Sequence, residues 1–287
     1  MNFLKKAWEV RLSNFPRQIH FVKPQKTLAL SLTGQNCELN CPHCEGHYLK
    51  SMKAVDSNEK LDLNFSKDYT SCLVSGGSCK DGKVPFAQNE TLFNELKKNK
   101  VKINLHPGLV SESEAQIASQ VDVCSFDFIV DEKVIKHVYG LDKTPEDFIK
   151  SYGYLSKYVN KIVPHINIGI PGGDEEMEMN ALEVLQDMRL DALTFIIFTP
   201  TPKTSLQHHL PPKIAYVEKV LASARIMFPD VPIFLGCMRP GGNYRQEVDE
   251  KAFLAGVNKI VSPTPGVKKL AGDVGFNLKW SKECCAI

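Results

Sequence analysis

The 287-residue chain is 43% hydrophobic, enough for one domain with a large buried core and close to the ~250 residues of an eight-unit α/β barrel. Its net charge of +2 comes from scattered lysines, with Lys97-Lys98 and Lys268-Lys269 reading as solvated faces, so nucleic acid is not implied as a partner. No apolar run approaches the ~20 residues of a membrane span and the first residues lack the apolar centre of a secretion signal, so a cytoplasmic, membrane-free location is expected, where nine cysteines point to metal rather than disulfides.

Behind an N-terminal segment of residues 1–26, β-rich apolar runs alternate with helical patterns, the mark of a parallel sheet built from βα units. The first run spans 27–33 and leads straight into Cys37, Cys41 and Cys44, a C-x3-C-x2-C triplet. Three thiolates so placed suit a four-iron cubane with one iron left open for a small ligand. A structural zinc site completed by His47 is the alternative, but zinc prefers two separated pairs and no second C-x2-C exists. Further runs lie near 70–75, 101–106, 122–129, 162–169, 192–198, 231–237 and 258–261, with helical stretches near 90–99, 111–120, 145–159, 175–188 and 213–228. Eight units close a (β/α)8 TIM-type barrel whose active site lies at the C-terminal ends of its strands. After a last helix near 264–272, the tail of residues 273–287 can extend roughly 36 Å by Cys284, enough to return to the barrel mouth.

The remaining cysteines divide by position. Cys72 and Cys124 lie inside strands and read as small buried hydrophobes. Cys79 follows Gly76-Gly77, and Cys237 ends the seventh run, so both face the mouth. Cys284 and Cys285 are adjacent, with α-carbons ~3.8 Å apart against the ~4.4–6.8 Å of ordinary disulfides. Cys79, Cys237, Cys284 and Cys285 can therefore hold an auxiliary cluster; the alternative is a buried strand cysteine and an incidental tail pair. His106 and His165, at strand ends or interiors, can hydrogen-bond a substrate carbonyl or satisfy a buried neighbour.

The triplet directly after a strand resembles the radical S-adenosylmethionine superfamily. Ser31-Leu32-Thr33-Gly34, Gly46-His47-Tyr48-Leu49, Ser75-Gly76-Gly77, Lys83-Val84-Pro85, His106-Pro107-Gly108-Leu109, Gly236-Cys237-Met238-Arg239-Pro240 and Glu283-Cys284-Cys285 look like a biotin-synthase-related family of archaea and bacteria. That family includes a subunit of a two-component lipoyl synthase. The resemblance implies a biotin-synthase-like full barrel and a catalytic [4Fe-4S] cluster on Cys37, Cys41 and Cys44 that cleaves S-adenosylmethionine to a hydrogen-abstracting radical. His43 matches the motif's aromatic position, and Gly76 and Gly77 the glycine pair near the methionine amino group. Asp127 is implied at the ribose hydroxyls, or else as a helix cap, and Gly169 and Thr199 at the adenine. Biotin synthase also has a cluster cysteine on its second strand and a late arginine ligand, so Cys72, Cys124 and Arg239 are rivals for the auxiliary set, and Arg239 is counted with the triplet among the implied catalytic residues.

The implied reaction is sulfur insertion into an octanoyl-lysyl chain, a second [4Fe-4S] cluster serving as the consumed sulfur source. The implied partners are an octanoylated lipoyl-acceptor protein or peptide, a second radical S-adenosylmethionine subunit and a flavodoxin or ferredoxin electron donor. Two other readings stand beside it: a mutase, methyl-transferring or cofactor-assembly radical enzyme without a sacrificial cluster, and a non-catalytic iron-sulfur carrier.

Overall fold

Strand and helix boundaries follow local chemistry. In a computed structural model, which describes residues 3–55 and 68–287, helix α3 (Glu112–Ala118) starts at a reciprocal capping box between Ser111 and Glu114. Helix α4 (Pro145–Tyr158) starts at another between Thr144 and Asp147, with proline in its first turn where no amide hydrogen is missed. The elements in order are α1 (Phe3–Asn14), β1 (Gln18–Val22), β2 (Thr27–Ser31), β3 (Lys53–Ala54), β4 (Ser71–Ser75), α2 (Glu90–Lys98), β5 (Lys102–Leu105), α3, β6 (Val123–Asp127) and α4. There follow β7 (Ile162–Ile168), α5 (Met177–Gln186), β8 (Leu193–Ile197), α6 (Ile214–Met227), β9 (Ile233–Leu235), α7 (Gly242–Leu254), β10 (Lys259–Val261), α8 (Pro265–Asp273) and β11 (Asn277–Ser281).

The strands form one curled parallel sheet in the order β11-β1-β10-β9-β8-β7-β6-β5-β4-β2-β3. The eight expected barrel strands are β2 and β4 to β10, in sequence order around the wall. The connection from β1 to β2 is too short for the crossover that parallel neighbours need, so β1 pairs instead with β10 and β11. The β11 end then meets the start of β2 through Lys26 N donating to Lys282 O at 2.8 Å. The terminal segments thus stand between β10 and β2, where the eight-strand reading expects direct closure.

Period-two alternation sorts the wall residues. Ile103, Leu105, Cys124, Phe126, Ile162, Ile166, Leu193 and Phe195 face outward into one large apolar core beneath the helices. The intervening Asn104, Ser125, Asp127, His165, Asn167 and Thr194 therefore face the barrel interior, beside apolar Val123, Val163 and Phe234 of the same face.

Candidate functional site

The cysteine triplet sits over the C-terminal ends of the strands because the chain after β2 folds back in tight turns. Left-handed Gly34 (φ 60), Asn40 (φ 44) and Gly46 (φ 68) reverse it. The Cys44 and Glu45 amides both donate to Cys41 O, at 3.0 and 2.8 Å. Cys41 Sγ lies 3.8 Å from Tyr139 O and Cys37 Sγ 3.9 Å from Ser78 O. Cys41 is 5% exposed; burial, then the neighbouring Cys44 and Cys37, push its thiol up to about 12. His47 is exposed, its ring against Tyr48 at 5.4 Å. Cys44 and Cys37 both act on the Cys41 thiol, so the three sulfurs share one side of the loop. A cubane takes one cysteine per iron, and this donor set fits the cluster.

The chain docks other segments onto this loop. Gly77 is needed there for contact: a Cβ would stand 1.9 Å from Asn36 O and 2.6 Å from Cys37 Cα. Its amide donates to Thr33 Oγ1 at 2.7 Å, and a Cβ on Gly76 would meet Thr33 Oγ1 at 3.2 Å. The glycine pair thus locks against the cysteine loop. Tyr48 OH lies 2.8 Å from Thr201 Oγ1, and Glu45 accepts from the Ser205 amide and hydroxyl at 2.7 and 2.6 Å. Tyr139, which ends a short π-helical turn after β6, packs on His43 with ring centroids 5.2 Å apart. Tyr48 lies in a segment that carries the resemblance, whereas Thr201, Ser205 and Tyr139 carry no motif in the sequence.

Unpartnered polar atoms mark where a ligand fits. Asp127 has no hydrogen-bond partner among the described residues; it is accessible to the interior yet enclosed by the barrel, and burial pushes its carboxyl up to about 6. Burial raises Cys44 and Tyr139, and the Asp127 charge adds to both, which places it beside the triplet. His43 Nδ1 is buried without a partner, and burial lowers the ring to about 4, so it is neutral. These open acceptors suit hydroxyl and amino groups of a nucleoside-type ligand. Gly169, left-handed at φ +74, leaves room for Pro212, which a Cβ would approach to 2.4 Å. Its amide donates to Glu178 Oε1 at 2.6 Å. Thr199 donates its hydroxyl to Ile197 O at 3.0 Å, and its carbonyl accepts from Thr201 Oγ1 at 3.1 Å.

The tail enters the barrel from the opposite pole. Ala286 packs on Val123, Val163, Ala192 and Phe234, and Cys285 on Val22 and Val261. Cys284 N donates to Thr27 Oγ1 at 2.7 Å, Lys161 Nζ to Ala286 O at 2.6 Å, and Lys259 Nζ to Cys285 O. Thr27, Val123 and Lys259 open their strands, so the tail plugs the base rather than returning over the mouth. Lys161, half-buried, and Lys259, buried, carry no sequence signal for this task.

Cys237 reaches toward this plug from above. The Ile197 amide skips Gly236 and donates to Met238 O at 2.8 Å, so the chain bulges at Cys237. Cys237 is accessible yet walled in by the barrel; burial raises its thiol, and Cys284 raises it further. Cys284 is held low by Cys285, which donates to it, and by the Ala286 and Asn104 amides, the last at 3.4 Å. Cys237, Cys284 and Cys285 are thus brought together. Cys79 is not: its amide donates to Lys83 O at 2.8 Å in an outer loop, and its charged neighbours are Glu38, Asp81 and Cys37. Cys72 and Cys124 face the outer core.

Arg239 also departs from the ligand role the resemblance implies. Its Nε donates to Asp249 Oδ1 at 2.7 Å with both side chains 0% exposed. Its remaining nitrogens donate to Gly236 O and to Val261 O, the latter at 2.7 Å. Each of its nitrogens is engaged, tying the chain after β9 to α7 and to the end of β10.

No family model matches the chain. A stretch of 164 residues is 28% identical to the 7,8-didemethyl-8-hydroxy-5-deazariboflavin synthase of Methanopyrus kandleri, covering 50% of this chain and 47% of that protein. The match thus spans about half the length of this curated relative. Among solved structures, methylornithine synthase (PylB) aligns over 96% of this chain and 88% of its own, at 13% identity and a TM-score of 0.68. The FeFe-hydrogenase maturase HydG from Carboxydothermus hydrogenoformans aligns over 96% and 71%, at 15% identity and 0.67. Streptococcus suis SuiB bound to S-adenosylmethionine aligns over 86% and 58%, at 13% identity and 0.52. At these identities the likeness is one of fold, a parallel TIM-type barrel.

Proposed function

We propose that this chain is a radical S-adenosylmethionine enzyme of the biotin-synthase-like type. The observation that carries the reading is the triplet loop, locked by Gly77 over the C-terminal pole of a parallel barrel and facing the unpartnered Asp127 carboxylate. Cys37, Cys41 and Cys44 would hold the [4Fe-4S] cluster, which with S-adenosylmethionine supplies one-electron, hydrogen-abstracting chemistry. Asp127 accepts hydrogen bonds from ligand hydroxyls, His43 packs as a neutral ring, and Tyr139 shields Cys41 from water. The barrel keeps a reactive ligand apart from solvent and fixes its distance to substrate. Anaerobic reconstitution and dithionite reduction should yield 5'-deoxyadenosine from S-adenosylmethionine. A protein that binds iron and never forms it is an iron-sulfur carrier.

A second, finer reading is favoured by Cys237, Cys284 and Cys285, whose thiols lie near enough to shift one another. They would hold an auxiliary cluster below the substrate, as sulfur insertion into an octanoyl-lysyl chain requires. That reading carries an octanoylated lipoyl-acceptor protein, a second radical subunit and a flavodoxin or ferredoxin as partners. The curated and solved relatives above support a radical enzyme of other substrate as the broader alternative. An octanoyl-lysine peptide that gains one thiol in mass supports sulfur insertion; deoxyadenosine formation indifferent to the peptide, with and without the partner subunit, favours the alternative.

A further inference from the structure

Strand register draws one continuous row around the interior wall. Asp127 pairs with His165, His165 with Thr194, Thr194 with Phe234, and Phe234 with Lys259. The row therefore starts beside the triplet at Asp127 and descends to Lys259, which grips the tail. His165 stands next to Asp127, and the His106 ring, from the loop after β5, lies 5.1 Å from the His165 ring. His165 Nδ1 is 3.1 Å from Val163 O; that carbonyl only accepts, so Nδ1 carries the hydrogen and Nε2 is left as an acceptor. The His106 ring has no hydrogen-bond partner among the described residues, so its donor and its acceptor both remain free.

A second observation points the same way. Thr194 Oγ1 on this row and Asn167 Oδ1 on β7 are buried without any partner. Buried polar atoms are normally satisfied, so orphans clustered in one interior call for a bound polar group or water. The charges decide what kind of group. Among the described residues Lys161 and Lys259 are engaged with tail carbonyls, Lys102 with Glu283, and Arg245, near Cys237, with Ser262 O, and the charge effect resolved at the two rings is that of His165 on His106. Burial keeps both histidines uncharged at neutral pH. A carboxylate placed here would have no counter-charge and would face the Asp127 carboxylate. A bare hydrocarbon would leave the histidine nitrogens stripped of water and unpaired.

We propose that His106 and His165 form a substrate site, directly below the Asp127 carboxylate, for a neutral amide, which pairs one acceptor and one donor with theirs. The inference rests on reading the barrel interior as the substrate chamber of a radical enzyme, and it names the polar group that substrate presents. On the same interior face, two residues before Asp127 and His106, Ser125 donates to Asn104 Oδ1 at 2.9 Å and Asn104 Nδ2 faces Cys284.

The test uses the reconstituted full chain with S-adenosylmethionine and two probes of equal length, octanamide and octanoate. Anaerobic calorimetry gives both affinities, and nitrogen NMR of histidine-labelled protein reports the ring nitrogens. Octanamide should bind about tenfold tighter than octanoate or more and shift the His106 and His165 resonances. His106→Phe should bring the two affinities within about twofold, while His106→Asn, which keeps a donor and an acceptor, should retain part of the preference. If His106→Phe does not fold, the wild-type affinities and shifts still decide. Octanoate binding as tightly as octanamide, or histidine resonances unmoved by saturating octanamide, would overturn the inference. Neither readout needs turnover, so absence of deoxyadenosine formation would sink the radical reading separately from this one.

Discussion

Arg239 offers a sharp separation of structural from chemical roles. Its guanidinium meets Asp249 Oδ1 at 2.7 Å where neither side chain is exposed, and Asp249 Oδ2 also accepts from the Thr264 amide at 2.8 Å. Arg239→Ala leaves the carboxylate charged in a site without water and strips the Gly236 and Val261 carbonyls of their donor. Removing one partner of a buried pair costs about 3–5 kcal/mol, whereas replacing both by apolar residues of similar size is often near neutral. Arg239→Ala should therefore lose about that amount in urea unfolding of the metal-free chain, read from the midpoint at constant slope. The double variant Arg239→Met, Asp249→Leu should recover most of it. The reasoning fails if Arg239→Ala keeps its stability and instead loses iron or substrate turnover, since the arginine would then be a ligand or a catalytic group.

His106 and His165, lowered by burial to about 3 and about 4, take up no proton when folded, so their stabilising effect is full above the unfolded value near 6.5 and fades as pH falls below it. Each should cost about 2 kcal/mol between pH 7.5 and 5, and His106→Gln, His165→Gln should flatten a urea-midpoint series; an unchanged pH slope would refute the burial argument. Gly77→Ala places a methyl 1.9 Å from Asn36 O, a backbone atom that cannot yield without parting the two loops. A loss of about 1–3 kcal/mol together with low iron content is expected, and native iron with a native melting temperature would contradict it. Under the sulfur-insertion reading, Cys284→Ser with Cys285→Ser should lower iron from about eight to about four per chain while deoxyadenosine still forms. A wild type that binds only about four irons has no second cluster.

The barrel was legible because its strands are apolar runs with turn signals at both ends: β2 and β4 to β10 all fall within the expected segments. The strands β1 and β11 were not. Gln18-Ile19-His20-Phe21-Val22 mixes polar and apolar residues, and Asn277-Leu278-Lys279-Trp280-Ser281 is an outermost strand with exposed side chains. Their pairing joins the two ends of the chain, which no local pattern reports. The triplet was readable from spacing alone, and Gly77 from its place after a strand. Cys79 and Cys237 look equivalent in sequence, each just past a strand, yet the bulge at Met238 carries one inward and the Lys83 turn carries the other outward. The tail could be given a reach but not a direction, because its anchors are two interior lysines on β10 and before β7. Arg239 shows the same limit: a strand-end arginine reads as functional until Asp249, ten residues on, is seen against it.

The central claim is that the triplet loop builds a radical-generating site over this barrel. Its most direct measurement is 5'-deoxyadenosine formed from S-adenosylmethionine by the anaerobically reconstituted, dithionite-reduced protein, beside the Cys37→Ala, Cys41→Ala, Cys44→Ala triple variant. The wild type should form it and the variant should form none; equal product from both, or none from a wild type carrying its full iron, would contradict the account.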